Sequence, residues 1–381
     1  MGRLLRSRAL LAALCCVALW LVLLGGSAVA APARKIAPPT PTVEWGPILG
    51  HVTTISIDVA WRTNHSVKSG VMCNDKSFGA TTESTYHRLT VSGLEPGQTY
   101  EYRLFWYAAG RKRLGPTHSF TTVPRNATKF DFAAFGDTRS GTEDHRAVVE
   151  AIANIKPAFV LNSGDLVADG HKMSDWRTFF SVEGALLRTV PYYCVLGNHE
   201  SDSDVYYSSF PLPPGGGEKG KEWYAFAYGN CFFVALDTNR SLDEQAAWLD
   251  MKLNIPAARN ATWRVAVIHA PPFSSGPHGG DPNVLAKWAP LFEKYGVDLV
   301  FCGHDHIYER SVKDGVTYII TGGGGAPKYA VDANKNPYSQ KAVSANHFCR
   351  IHVDGDTLKV QAIKPDESIM DVVMLTKKPK L

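Results

Sequence analysis

Six side chains able to ligate a metal stand at the ends of apolar runs. They are Asp137 in Gly136-Asp137-Thr138-Arg139, Asp165 in Gly164-Asp165, Asn198 in Gly197-Asn198-His199-Glu200, the isolated His269, and His304 and His306 in Gly303-His304-Asp305-His306. Two carboxylates, a carboxamide oxygen and three imidazoles form a mixed O/N set that suits borderline divalent ions or iron, not a thiolate site. Six ligands exceed what one catalytic ion uses while keeping a position open for water, and they suit two ions sharing a carboxylate. Taken singly, each residue has a plainer reading: an Asp after a strand is usually a helix cap, and a lone His is usually a satisfied core residue. The pair His304 and His306 is more specific, because residues two apart on a strand end point the same way. It is the five motifs in order that carry the chemistry.

To act together, these residues must be delivered to one rim. After Pro124 the chain alternates strand and helix. Strands are predicted over 130–135, 158–161 and 191–196, with helices over 142–155 and 174–187; the first helix places Val148, Val149, Ile152 and Ile155 on one face. Two consecutive strands, 224–228 and 231–236, break the alternation. There follow a helix 243–253, a strand 263–268, a helix 284–294, a strand 298–301, and strands 318–320, 350–353 and 358–363. This predicts a mixed α/β domain over 128–366 with more than one sheet, its ligands gathered outside the carboxyl ends of the strands. Ahead of it, 42–124 reads as all-β: residues 55–61 alternate apolar and polar, and turn residues recur at short intervals. Leu94-Glu95-Pro96-Gly97-Gln98-Thr99-Tyr100-Glu101-Tyr102 resembles the tyrosine-corner segment of fibronectin type III domains, so a β-sandwich is expected.

The five motifs, in this order, resemble those of the calcineurin-like metallophosphoesterase superfamily: an Asp motif, GD, GNH(D/E), an isolated His and GHxH. Gly303-His304-Asp305-His306-Ile307-Tyr308-Glu309-Arg310 is similar to the GHxHxYER ending of the purple acid phosphatases, which also carry a fibronectin-like domain before a two-sheet catalytic one. The resemblance implies that Asp165 bridges two metals, that Asn198, His269 and His304 complete one site, and that Asp137 and His306 hold the other. Up to two Fe, Mn or Zn ions are the implied cofactor. The implied activity is an acid phosphatase-like hydrolysis of phosphate esters by in-line attack of metal-bound hydroxide, with His199 as general acid.

Two positions depart from that pattern. Arg139 stands where many superfamily members have the His of Asp-x-His, and Ala168 stands where purple acid phosphatases have a Tyr ligand. The first site keeps only Asp137, Asp165 and His306 and is expected to load weakly. A guanidinium stays protonated and cannot ligate, so Arg139 reads as a phosphate contact or the partner of a carboxylate. His145, in the first turns of a helix, reads as exposed rather than as a replacement ligand. His278, in the Gly- and Pro-rich loop 271–280, is a candidate substrate contact. The glycines 322–325 lack the Lys-Ser/Thr ending of a P-loop and read as a packing turn. Trp176 and Trp248 read as core.

Composition sets the outer bounds. At 381 residues and 45% hydrophobic, the chain has room for two domains with separate cores. Arg3, Arg6 and Arg8 precede an apolar run and an Ala28-Val29-Ala30 site, which predicts a signal peptide over 1–30, a Pro-rich linker over 31–41, and a secreted, periplasmic or cell-surface protein. The first 30 residues hold three arginines and no acids, so the formal charge of +4 falls to +1 without them. Such a balance offers no basic stripe for nucleic acid. No later run is long enough to span a bilayer. The five cysteines after residue 30 suggest no disulfide framework, and residues 367–381 read as a solvated tail. Sequons stand at Asn64, Asn126, Asn239 and Asn260. The motifs leave open a diester or nucleotide substrate, and a non-catalytic surface binding protein with a degraded metal site.

Overall fold

The computed structural model describes residues 40–79 and 82–377. The expected leader and most of the linker lie outside them. Among the described residues, no helix is long and apolar enough to cross a membrane.

Val43–Gly50, Ser56–Val67 and Ser84–Ser92 form a three-stranded antiparallel sheet. It faces a second sheet built on Ser69–Cys73 and Thr99–Ala108. Ile57, Val59, Val71, Val91, Leu104 and Phe120 are buried between the two. The tyrosine corner is present: Tyr100 Oη accepts from the Glu95 N–H at 2.7 Å, pinning the turn that starts the Thr99–Ala108 strand.

Beyond Pro124 two further sheets stack. The first runs Tyr192–Cys194, Val160–Asn162, Lys129–Phe135, Phe348–Asp354, Thr357–Ile363, Ile369–Thr376, and its first three strands are parallel. The second has eight strands, of which Cys231–Ala235, Trp263–Val267, Leu299–Cys302 and Val316–Thr321 form a parallel centre. An aromatic seam joins the sheets: Phe132 stacks on Phe159 at 4.9 Å and meets the edges of Phe233 and Phe301. Helices Thr142–Asn154 and Met173–Leu187 contribute to the core around the first sheet, while Leu242–Leu253 and the short helices after it pack in the apolar cluster of the second.

Several expectations are corrected. The helix predicted over 284–294 is two, Pro282–Lys287 and Ala289–Lys294, because Pro290 cannot donate to the preceding turn. The tail contains the strand Ile369–Thr376, and Lys377 is not free in solvent: it reaches Asp298 at 2.6 Å. Separate cores are not seen. One apolar cluster runs from the sandwich into the α/β layers, where Trp45 stacks on Phe180 at 4.9 Å and Tyr102 Oη donates to the Arg188 carbonyl. Trp176 is fully buried, whereas Trp248 only borders the second cluster. Cys73, Cys194, Cys231, Cys302 and Cys349 are all buried free thiols.

Candidate metal centre

Each parallel strand releases its candidate ligand at the same rim. Asp137 follows the Lys129–Phe135 strand, Asp165 follows Val160–Asn162, Asn198 follows Tyr192–Cys194, His269 follows Trp263–Val267, and His304 follows Leu299–Cys302. The turns that aim them are sharp. Asp137, Asp165 and His304 have φ of 58°, 54° and 71°, a left-handed conformation that L-residues adopt at some cost and that clusters at functional sites. Close approach explains the glycines beside them: a Cβ on Gly197 would lie 2.1 Å from Asp165 Oδ1, and one on Gly303 2.5 Å from Asp137 Oδ2.

Backbone bonds lock the loops together. The Asp137 N–H donates to the Gly164 carbonyl and the Thr138 N–H to that of Asp165. The His304 N–H donates to both Asp137 oxygens, at 3.0 and 3.1 Å. Glu200, given no role from the sequence, is the main brace. Its Oε2 accepts the N–H groups of Asp165 and Gly197, and its Oε1 those of Leu166 and Val167. Burial and the neighbouring Asp165 charge push its carboxyl up to about 8, against these backbone donors. An acid directly after Gly-Asn-His was the available signal.

The two oxygens of Asp165 divide the site. Oδ1 lies 3.4 Å from His269 Nε2. His269 Nδ1 donates to the Ser163 carbonyl at 2.8 Å, which in the neutral imidazole leaves the Nε2 lone pair facing Asn198 Oδ1 at 3.1 Å. His304 Nδ1 is 3.1 Å from the same Asn198 oxygen. With the His269 imidazole neutral, Asp165 Oδ1, Asn198 Oδ1 and His269 Nε2 bring three electron pairs together. A cation reconciles such a set, and its oxygen and nitrogen composition fits a borderline metal.

On the other side, ligand atoms of Asp137, Asp165 and His306 lie within 4.8 Å of one another. His306 Nδ1 donates to the Pro327 carbonyl at 2.7 Å, which leaves Nε2 as an acceptor. Here a cation is built in: Arg139 Nε donates to Asp165 Oδ2 at 3.3 Å, and Nη2 to His306 Nε2 at 3.3 Å. The second half fits a metal as it stands; the first does not.

Electrostatics follow this division. Burial and the Asp165 charge raise Asp137 well above the usual carboxylate range. Burial also opposes charge on Asp165, but His269, His199 and Arg139 together hold it below that range. Burial pushes His304 and His306 down to about 4, keeping both as neutral imidazoles.

The remaining candidates lie around this floor. His199 Nδ1 donates to the Ala168 carbonyl at 2.7 Å, holding Nε2 3.8 Å from Asp165 Oδ2 on a half-buried ring. His278 is exposed; Asp305 orients it through Nδ1 at 2.8 Å, and its ring lies 4.3 Å from that of His304. The structure therefore brings every predicted site residue to one rim, with two corrections. His304 and His306 are not on a strand end pointing alike: they occupy the turn between Leu299–Cys302 and Tyr308–Lys313, and each faces a different half. His145 is not exposed but buried against Glu183, at 2.9 Å. The glycine turn 322–325 packs against the first loop, with Gly324 N–H donating to the Gly136 carbonyl. Asp305 and Tyr329, which stacks on His306 at 4.0 Å, were not assigned roles from the sequence, and no spacing marks Tyr329.

Residues 130–308 match the family model of calcineurin-like phosphoesterases. An uncharacterized protein of Mycobacterium tuberculosis is 27% identical over 277 residues, covering 61% of this chain and 52% of that one. Purple acid phosphatase 18 of Arabidopsis thaliana is 26% identical over 280 residues, covering 68% and 62% respectively. The chain thus spans about half to two thirds of these relatives' length. Among solved structures, a purple acid phosphatase from yellow lupin superposes with a TM-score of 0.80 at 18% identity, covering 90% of this chain and 76% of that one. This likeness is one of fold.

Proposed function

Because this chain belongs to the calcineurin-like metallophosphoesterases and is purple acid phosphatase-like in fold, we propose that it hydrolyses phosphate esters at the rim described above. The observation that carries the reading is the meeting of Asp165 Oδ1, Asn198 Oδ1, His269 Nε2 and His304 Nδ1 at one rim. Asp165, Asn198, His269 and His304 would hold the metal. When bound in such a set, a divalent ion polarises a phosphoryl oxygen and lowers the pKa of water to about 7.

The chain's own groups supply the rest. His199, fixed through Nδ1, presents Nε2 to the open rim, where its protonated form would give a proton to the departing alkoxide. The Nη1 group of Arg139 has no hydrogen-bond partner among the described residues and is free to bind a phosphate oxygen. His278, steered by Asp305, would bound the substrate from the rim.

The test is metal analysis of the purified protein together with turnover on a panel of phosphate mono- and diesters, with Mn, Zn and Fe added back. Hydrolysis that needs metal is expected, and the panel would assign the ester class. Fewer than roughly 0.2 ions per chain after reloading, with no hydrolysis of any ester, would remove the reading.

A further inference from the structure

The family to which the chain belongs implies a two-metal centre, and the first half of this one does not fit a metal. We propose that Arg139 is its resident cation, so that the chain works with one ion, held by Asp165, Asn198, His269 and His304, paired with a fixed guanidinium. This rests on the phosphoesterase reading and sharpens it.

The proton count carries the argument. With Nδ1 of His306 donating to Pro327, its Nε2 can only accept, and what it faces is Arg139 Nη2. Asp165 Oδ2 likewise faces Arg139 Nε. The one lone pair of His306 Nε2 is therefore already engaged by an N–H donor, and so is one of those on Asp165 Oδ2. Asp137 turns its two oxygens to the His304 N–H and lies 3.7 Å from His306 Nε2. A second ion there would have to expel a charge of like sign from a largely buried position, and arginine cannot escape by losing its proton. Ala168 offers no side-chain donor atom, and a void of about 210 Å³ opens beside it, whose wall includes Arg139, His145 and Asp175; His145 is already engaged with Glu183.

The geometry also gives the guanidinium an orientation that a lysine would lack. Two of its edges are committed to Asp165 and His306, and the Nη1 edge remains for a phosphate oxygen. Arg139 would thus bring positive charge to the substrate where a metal would otherwise bridge.

The experiment is equilibrium dialysis of chelator-stripped protein against Mn(II), read by elemental analysis and by Mn(II) electron paramagnetic resonance. Wild type should retain one ion per chain with an uncoupled signal. Arg139→His, which replaces the cation with a ligand, should retain two, with the spectrum of an exchange-coupled pair. Arg139→Gln, which removes the charge, gives a second route to the same rise should the histidine variant fail to fold. Two coupled ions in wild type, or a count that stays at one in both folded variants, would overturn the proposal. No ion in wild type with Mn, Zn or Fe would instead overturn the phosphoesterase reading beneath it.

Discussion

His199 and Asp165 are neighbours with different duties, and substitution should separate them. His199 Nε2 stands 3.8 Å from Asp165 Oδ2 but is anchored elsewhere, through the Ala168 carbonyl. Replacing it with Ala should lower turnover by roughly 10²–10⁴-fold, as loss of a general acid does, while metal content stays unchanged. Asp165→Asn should cost metal and activity together, because both of its oxygens are committed to cations or to their ligands. Parallel measurement of kcat and bound metal checks both. At this scale the sequence was informative about type and poor about direction. Gly197 and Gly303, each directly ahead of a ligand in its motif, sit where a Cβ would strike a carboxylate. Period-two reasoning, however, put His304 and His306 on one side, whereas a φ of 71° at His304 breaks the alternation that rule needs. Arg139 could be recognised as unable to ligate; that it fills the place of an ion depends on which lone pairs face it, which no spacing encodes.

The loops after Val160–Asn162 and Tyr192–Cys194 act as one element because Glu200 holds four of their N–H groups. Glu200→Gln would turn an amide NH₂ toward donors that need acceptors, since both carboxylate oxygens are used. A loss of about 1–3 kcal/mol is expected in denaturant unfolding, with weaker Mn(II) retention as Asp165 and Asn198 drift. Unchanged stability and metal affinity would deny Glu200 this bracing role. Strands and long helices were legible because burial imposes its period on them; Thr142–Asn154 and Met173–Leu187 lie within a residue or so of expectation. The strands Tyr308–Lys313 and Ile369–Thr376 were missed for a physical reason: each carries charged or polar residues whose partners, such as Arg310 with Asp371, are distant in sequence.

Across the described residues, the sandwich reads as a structural partner of the α/β layers. Trp45 stacks on Phe180, and its indole N–H donates to Ser209 Oγ, far along the chain. Trp45→Ala should therefore cost about 3–5 kcal/mol and lower a single calorimetric transition shared by both parts; two transitions would mean that they fold apart. Acid should act on both parts as well. His87 in the sandwich and His347 near the glycine turn are held down to about 4 by burial, and His87 Nδ1 is buried with no partner. The unfolded chain takes up these protons first, near 6.5, so their contribution is intact above that pH and fades as pH falls toward 4. The loss should be on the order of 3 kcal/mol for each, and His87→Gln should flatten part of the profile. The joint core was not legible because its contacts join residues 86 to 164 positions apart. The five buried thiols turn that core into a recorder of its own openings. Burial raises all of them, so a thiol reagent labels one only when its sheet comes apart. Cys73 samples the sandwich, Cys194 and Cys349 the first α/β sheet, and Cys231 and Cys302 the second. A common labelling rate would time one breathing motion of the entire molecule, whereas early labelling of Cys73 would catch the sandwich peeling away first.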